Sequence, residues 1–205
     1  MRDHILRRKV RGVRAVRSLG SAGVAETLGP AVRGLNVCAV TSGAFGLIEV
    51  IEYLVNAAPG ADVSVSVWSS GGSDLSQAFR MVQAGLMRSC RFIVDPSFSK
   101  RSPELCALLV EFFGADSIRT ASTHKKVVMV RNDRLAFCVR ASMNLAAERQ
   151  LDVLDVTESP QVCDWYGRQF DAEFAAGAPA DVDGADYFSD AVFARDLRRA
   201  GLRFS

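Results

Sequence analysis

Residues 123–130 have the sequence Thr-His-Lys-Lys-Val-Val-Met-Val, in which polar functional groups stand directly before an apolar run. Residues 126–130 predict a strand, because Lys126 is followed by an apolar run that is rich in β-branched valine. Because side chains alternate between the two faces of a strand, we expect His124 and Lys126 on one face and Lys125 on the other. An imidazole titrates near neutrality and can act as a nucleophile or as a general acid or base. The segment therefore predicts an anion site equipped for chemistry.

A second strand is predicted at residues 135–139, Leu-Ala-Phe-Cys-Val. Residues 131–134, Arg-Asn-Asp-Arg, favour a hairpin turn between the two strands, because Asn and Asp tolerate the left-handed backbone that such turns often need. The hairpin carries Arg140, Ser142 and Asn144 back towards the start of the first strand. Ser142 and Asn144 can donate hydrogen bonds to a phosphate oxygen without adding charge.

This constellation resembles the HKD motif of the phospholipase D superfamily, in which His-x-Lys is followed by an Asp and then by Gly-Ser-x-Asn. Two positions depart from the motif: Arg131 stands at the Asp position, and Ala141 stands at the Gly position. The residues that match are His124, Lys126, Ser142 and Asn144.

The resemblance implies cleavage of a phosphodiester in two steps through a phosphohistidine on His124. It assigns Lys126, Ser142 and Asn144 to neutralising the oxyanions, and it calls for no metal and no other cofactor. Family members bring two motifs together at a pseudo-twofold axis, and this chain has only one. The resemblance therefore implies a homodimer whose isologous interface joins two copies of His124.

In this superfamily an acidic residue on the following strand holds the nucleophilic histidine. Residues 151–156, Leu-Asp-Val-Leu-Asp-Val, lie where that strand is expected. Alternation places Asp152 and Asp155 on opposite faces. We expect Asp152 to be the partner of His124, with Asp155 and Glu148 as the alternatives.

The remaining chain alternates predicted strands with predicted helices, which indicates an α/β sandwich with a mixed, mostly parallel sheet flanked by helices. This order of elements also suits the phospholipase D-like fold that the resemblance implies. Asp74 is expected to cap one helix, and Ser102 with Pro103 to open the next, which ends at Gly114. Predicted strands lie at 35–40, 62–68 and 90–94, and predicted helices at 47–55 and 161–174.

Length and composition indicate one substantial core, since the chain has 205 residues, of which 49% are hydrophobic and 23% charged. We expect a basic N-terminal arm at 1–30, a phospholipase D-like domain at 31–176 and a C-terminal appendage at 177–205. The sequence predicts no membrane segment and no signal peptide, hence a soluble, cytoplasmic protein. Scattered cysteines without Cys-x-x-Cys spacing predict buried thiols, with neither disulfides nor a metal site. They are Cys38, Cys90, Cys106, Cys138 and Cys163.

The N-terminal segment is strongly basic although the net charge of the chain is only +2. Against Asp3 it carries Arg2, Arg7, Arg8, Lys9, Arg11, Arg14 and Arg17. Such a segment can dock on nucleic-acid phosphates, or it can be a solvated arm. We expect contacts with nucleic acid from Arg7, Arg8, Lys9 and Arg11, and from Lys125 and Arg140 beside the motif.

The basic arm and the single motif make the chain similar to the bacterial and phage nucleases of the superfamily, so DNA or RNA is the expected substrate. One alternative is a nucleic-acid-binding or assembly protein that keeps the anion site but turns over weakly or not at all. The other is a phospholipid phosphodiesterase, which would need an exposed apolar patch beside the site.

Overall fold

The computed structural model describes residues 14–17, 23–146 and 150–180. The predicted contacts of Arg7, Arg8, Lys9 and Arg11 fall outside these residues, as do Glu148 and most of the predicted appendage. The described strands are β1 (Arg14–Arg17), β2 (Asn36–Thr41), β3 (Ala61–Val67), β4 (Met87–Val94), β5 (Ile118–Thr120), β6 (Val127–Arg131), β7 (Ala136–Ala141), β8 (Asp152–Glu158) and β9 (Ala178–Pro179). The described helices are α1 (Val24–Leu28), α2 (Leu47–Ala57), α3 (Gly72–Gln83), α4 (Ser97–Arg101), α5 (Pro103–Phe113) and α6 (Pro160–Ala176), and a 3₁₀ turn lies at Ala115–Ser117.

The described strands form a single sheet in the order β1-β2-β8-β7-β6-β3-β4-β5-β9. The expectation of a mostly parallel sheet is wrong. Only β1–β2, β3–β4 and β4–β5 are parallel pairs, and the other five are antiparallel. The reason is that β6, β7 and β8 enter the sheet between β2 and β3, and β6 and β8 run against their neighbours.

Helices cover both faces of the sheet, as the sequence predicts. Val128 and Val130 of β6 pack into the main apolar cluster, which contains the buried faces of α2, α3 and α5. Met129 points to the opposite face and packs on Phe170 of α6. This alternation is what a strand between two helical layers requires. Among the described residues, no helix is both long and apolar enough to cross a membrane.

The β6–β7 hairpin forms where the sequence predicts it, although its turn closes in a different way. The Asn132 side-chain oxygen accepts hydrogen bonds from the backbone N–H groups of Arg134 and Leu135, both at 2.9 Å. Among the described residues only glycines have a positive φ. The turn therefore relies on side-chain capping by Asn132 and not on left-handed backbone.

Asp74 does not cap α3. The N-cap is Gly71, and Asp74 lies inside the first turn with only 3% of its surface exposed. Burial raises the pKa of its carboxyl, against a hydrogen bond from the Ser73 hydroxyl that lowers it. Ser102 does occupy the N-cap of α5, but its side chain makes no capping hydrogen bond.

The sheet extends past the predicted domain limits of 31 and 176. β1 pairs in parallel with β2, and α1 buries Val24 and Leu28 in the main apolar cluster. At the other end β9 pairs with β5. Part of the segment that we assigned to a basic arm is therefore an edge strand and a helix of the same fold.

Candidate active site

The ends of six strands bring the predicted motif together at one edge of the sheet. Strands β2, β3, β4 and β7 all run the same way and end at this edge, whereas β6 and β8 begin there. His124 and Lys126 lie just before β6, Ser142 and Asn144 just after β7, and Asp152 at the start of β8. Residues that are distant in sequence thus share one edge because of strand direction.

Lys126 lies against His124. The Lys126 Nζ is 3.3 Å from the imidazole Nδ1 and 3.4 Å from Nε2, and it donates to the His124 carbonyl oxygen at 3.3 Å. Lys125 points elsewhere and forms an ion pair with Glu173 of α6. This is the predicted separation of faces, although β6 itself begins only at Val127. His124 is exposed, so a ligand can reach its ring.

Ser142 is held at the end of β7 by β8. Its backbone N–H donates to the Val153 carbonyl at 3.1 Å, and its Oγ accepts from the Val153 N–H at 3.0 Å. The Ser142 hydroxyl donates to the Asp152 carboxylate at 2.5 Å. Within the described residues, the Oδ1 atom of Asn144 is buried and has no hydrogen-bond partner. The amide of Asn144 is therefore not fixed through its oxygen.

The acidic candidates occupy different places. Asp152 bonds to Ser142, and no hydrogen bond joins it to His124 among the residues that the structure describes. Asp155 lies further along β8, where it pairs with Arg140 at 2.7 Å. Arg140 also donates to the Thr157 hydroxyl at 2.8 Å. Arg140 is thus engaged within the sheet, in contrast to the nucleic-acid contact that we expect of it.

The two motif departures lie in unlike surroundings. Arg131 is at the far end of β6, where its guanidinium pairs with Asp164 of α6 at 2.6 Å. Ala141 is near the site, and its N–H donates to the Lys126 carbonyl at 3.0 Å, which keeps β7 paired alongside the His124 segment. The Arg131 substitution therefore has a structural partner away from His124.

The loop after β3 crosses the motif and places Trp68 beside it. The Gly71 N–H donates to the Leu145 carbonyl at 2.6 Å, and the Leu145 N–H donates to Ser69 at 3.3 Å. The ring centroids of Trp68 and His124 are 6.0 Å apart, with 48° between the ring planes. On Trp68 the guanidinium carbon of Arg101 lies 3.8 Å from the ring centroid.

Asp95, at the end of β4, supports the same edge. Its carboxylate accepts hydrogen bonds from the Ser97 N–H at 2.9 Å and the Ser97 hydroxyl at 2.5 Å. The Ser97 hydroxyl is the main cause of a lowered pKa of Asp95, and the backbone of Thr123 lowers this pKa further. Asp95 thus fixes the residue that precedes His124.

Sequence patterns did not point to Trp68, Asp95 or Arg101 as residues of this edge. The available signal for Trp68 was a tryptophan at the very end of the strand predicted at 62–68. No group of three or more His, Cys, Asp or Glu side chains that could hold a metal ion is found in the described residues.

The site therefore combines an accessible imidazole, an ammonium group and two neutral polar side chains. An imidazole can attack phosphorus, an ammonium can neutralise a non-bridging oxygen, and hydroxyl or amide donors can bind the remaining oxygens. This arrangement suits a phosphate or phosphodiester ligand.

Comparisons with known proteins give similarity at the level of the fold. A scan against protein-family models finds no match, and a search of curated proteins finds none either. The solved structure of Nuc, a phospholipase D family member from Salmonella typhimurium, is 15% identical, with 70% of this chain and 97% of that chain covered and a TM-score of 0.49. NucT from Helicobacter pylori is 13% identical, with 70% and 99% covered and a TM-score of 0.48.

Polyphosphate kinase from Porphyromonas gingivalis is 10% identical, with 80% of this chain and 28% of that chain covered and a TM-score of 0.50. The sheet flanked by helices agrees with this likeness, which concerns the fold alone. The chain has a phospholipase D-like fold.

Proposed function

We propose that this protein is a phosphodiesterase that cleaves DNA or RNA. In this proposal His124 is the nucleophile, and no metal ion takes part. The observation that carries the proposal is the position of the Lys126 ammonium group against the His124 imidazole, 3.3 Å from Nδ1. The pair lies at the exposed strand edge that also carries Ser142 and Asn144. A nucleophile and an oxyanion-binding cation thus face the same space.

In the first step an imidazole nitrogen of His124 attacks phosphorus, so that a P–N bond forms and the bond to the leaving oxygen breaks. The leaving oxygen takes a proton from the imidazolium of the partner's His124. In the second step water gives a proton to that imidazole while its oxygen attacks phosphorus. The P–N bond then breaks, and His124 is free for another turnover.

The oxyanions of both transition states need donors. Lys126 supplies a positive charge, and Ser142 and Asn144 supply neutral donors. The Ser142 hydroxyl donates to Asp152 in this structure, so the proposed contact requires it to turn its proton towards the phosphate when substrate binds. Asp152 is therefore a positioning residue, which affects catalysis by orienting the Ser142 hydroxyl.

A homodimer is part of the proposal because the chain carries one motif and the chemistry uses two imidazoles. An isologous interface at this strand edge would place His124 opposite the partner's His124. In that arrangement one histidine acts as the nucleophile and the other as the general acid and base.

The choice of nucleic acid rests on charge. Residues 1–20 contain seven basic residues and one acidic residue. Phosphate contacts from such a segment bind nucleic acid through counterion release, without regard to sequence. Binding that weakens steeply with salt is therefore expected.

A second candidate function is a nucleic-acid-binding protein with little or no turnover. The observation that favours it is Ala141, whose side chain stands at the motif position where the family has Gly, next to Ser142. A methyl group there narrows the approach of a phosphate to the backbone. In this case the anion site binds and does not cleave.

The test is cleavage of labelled single- and double-stranded DNA and RNA in EDTA, with mass measured by light scattering. His124→Ala is compared with His4→Ala, which removes the other histidine of the chain. We expect cleavage by the wild type and by His4→Ala, none by His124→Ala, and the mass of a dimer. Binding without cleavage in all three proteins would favour the second candidate.

A further inference from the structure

Trp68 stands next to the proposed nucleophile without serving the core. It is half-buried, and it is not among the side chains that form the apolar clusters of the described residues. Its ring centroid lies 6.0 Å from that of His124. The backbone bonds of Ser69 and Gly71 to Leu145 fix this position relative to the motif. A large, flat and partly accessible aromatic surface is therefore held beside His124.

Arg101 adds a second flat layer to this surface. Its guanidinium carbon lies 3.8 Å from the Trp68 ring centroid, and Arg101 is exposed. Its Nε donates to the Ser97 hydroxyl at 3.2 Å, and that hydroxyl donates to Asp95. Asp95 also interacts with the backbone of Thr123. One carboxylate therefore fixes both the guanidinium layer and the segment that carries His124.

Nucleobases stack on aromatic rings and on guanidinium planes. Both surfaces are present here, and the guanidinium also attracts the phosphate backbone. A base inside a duplex has its faces covered by neighbouring base pairs, so it cannot use such a surface unless it leaves the stack. The surface formed by Trp68 and Arg101 therefore suits an unstacked base next to a phosphate that is bound at His124.

We propose that Trp68 and Arg101 form a base-stacking platform that binds the nucleotide flanking the scissile phosphate, and that the substrate is therefore single-stranded nucleic acid. This inference rests on the proposed function and specifies its substrate class. It assigns to Trp68 and Arg101 a role in positioning the substrate, whereas His124 and Lys126 perform the chemistry.

The direct test measures the fluorescence of Trp68. Trp165→Phe leaves Trp68 as the sole tryptophan, and His124→Gln prevents turnover. This double variant is titrated in EDTA with a short single-stranded oligonucleotide, and with a tetrahydrofuran-spacer oligonucleotide of the same length that has the phosphates but no bases. We expect quenching of the Trp68 fluorescence by the first ligand and not by the second. Equal responses to both, or no response to either, would overturn the platform.

A kinetic test uses Trp68→Leu in the otherwise wild-type chain, with Trp68→Phe as the conservative control. Loss of one stacked base is expected to lower kcat/KM on single strands about tenfold or more. Trp68→Phe is expected to retain most of the activity, and Trp68→Leu is expected to lose much less activity on the base-free oligonucleotide than on the normal single strand. Equal loss on both ligands would mean that Trp68 only supports the fold of the site, against the proposal.

The two proposals fail differently. If the wild type cleaves duplex as fast as single strands and Trp68→Leu changes neither rate, the platform is wrong while the nuclease function stands. If no phosphodiester is cleaved by any form of the protein, the nuclease function fails. The fluorescence comparison still decides whether Trp68 binds a base in that case.

Discussion

The Ser142 hydroxyl donates a 2.5 Å hydrogen bond to the carboxylate of Asp152. This bond joins the end of β7 to the start of β8, and it engages the Ser142 proton that the proposed phosphate contact would need. Asp152 also places a negative charge beside an anion site. We therefore expect Asp152 to oppose phosphate binding while it holds Ser142 in place.

Asp152→Asn tests this relationship. Asn can still accept the Ser142 hydrogen bond but carries no charge. We expect the affinity for an oligonucleotide to rise about fivefold, which corresponds to about 1 kcal/mol for a partly exposed charge. The measurement is the Kd by fluorescence anisotropy in the His124→Gln background. Unchanged affinity, with turnover lost when Asp152→Asn is made in the wild type, would instead support the predicted role of Asp152 as the partner of His124.

Arg140→Ala should affect stability more than nucleic-acid binding. The side chain is half-buried, and its Nη2 atom donates to the Asp155 carboxylate and to the Thr157 hydroxyl. We expect a loss of about 2 kcal/mol in the free energy of unfolding, measured with urea, because two hydrogen bonds of a charged group disappear. The control is Arg131→Ala, whose ion pair with Asp164 is more exposed and should contribute less than about 1 kcal/mol.

Equal losses for these two variants would mean that the sheet does not hold Arg140 as described. A reduced salt dependence of oligonucleotide binding in Arg140→Ala would contradict the internal role and restore the predicted nucleic-acid contact.

Cys38 provides a chemical test of the β2–β8 pairing. Among the five thiols it alone is exposed, and it stands opposite Asp155 in the register. Partial burial and the nearby Asp155 carboxylate raise the pKa of the Cys38 thiol, whereas Arg140 lowers it. Less thiolate is therefore present at pH 8 than for a free cysteine, and reaction with a disulfide reagent should be slow.

Asp155→Asn removes the charge that opposes the thiolate and leaves Arg140 in place. We expect the Cys38 reaction at pH 8 to become faster and its pH midpoint to fall. Stopped-flow measurement of the Cys38 reaction rate over pH 7–10 gives this midpoint. Glu173→Gln, which lies on a different element, is the control. An unchanged midpoint would argue against Asp155 lying beside Cys38.

Mixed dimers test the composite site. Wild-type and His124→Ala chains with different affinity tags are unfolded together and refolded in known ratios. If each centre needs both histidines, activity falls with the square of the wild-type fraction. A linear decline, with dimers still detected by light scattering, would mean that one chain suffices.

The local part of the site could be predicted from sequence. His124 and Lys126 are two residues apart, and the short hairpin sets the return of Ser142 to the same edge. Both relations depend on neighbouring residues and on the period of a strand. The helix predicted at 47–55 is found as α2, and its apolar residues Leu47, Ile48, Ile51, Leu54 and Val55 are buried.

The sheet order could not be predicted in this way. Thr41 pairs with Asp152 across more than half the chain, and no local pattern encodes such a pairing. Strand–helix alternation favoured parallel neighbours, but β6, β7 and β8 separate β2 from β3. Local pattern fixes the type of an element better than its neighbour in the sheet.

The contact between Trp68 and Arg101 also could not be predicted from the sequence. It depends on α4, a five-residue helix whose sequence, Ser-Phe-Ser-Lys-Arg, is too short to display a helical apolar period. Asp95 was missed because its partners are the N–H and hydroxyl of Ser97 and the backbone of Thr123, and these contacts form no periodic pattern in the sequence.

The most direct test of the account is to trap the intermediate on His124. A single-stranded oligonucleotide labelled at each end in turn is mixed with enzyme in EDTA, quenched in alkali within one turnover and digested, and the peptides are identified by mass spectrometry. The account predicts a phosphoryl adduct on the peptide that contains His124, absent from His124→Ala and present in His4→Ala. Cleavage without an adduct, or an adduct on another residue, would contradict the role of His124 as nucleophile.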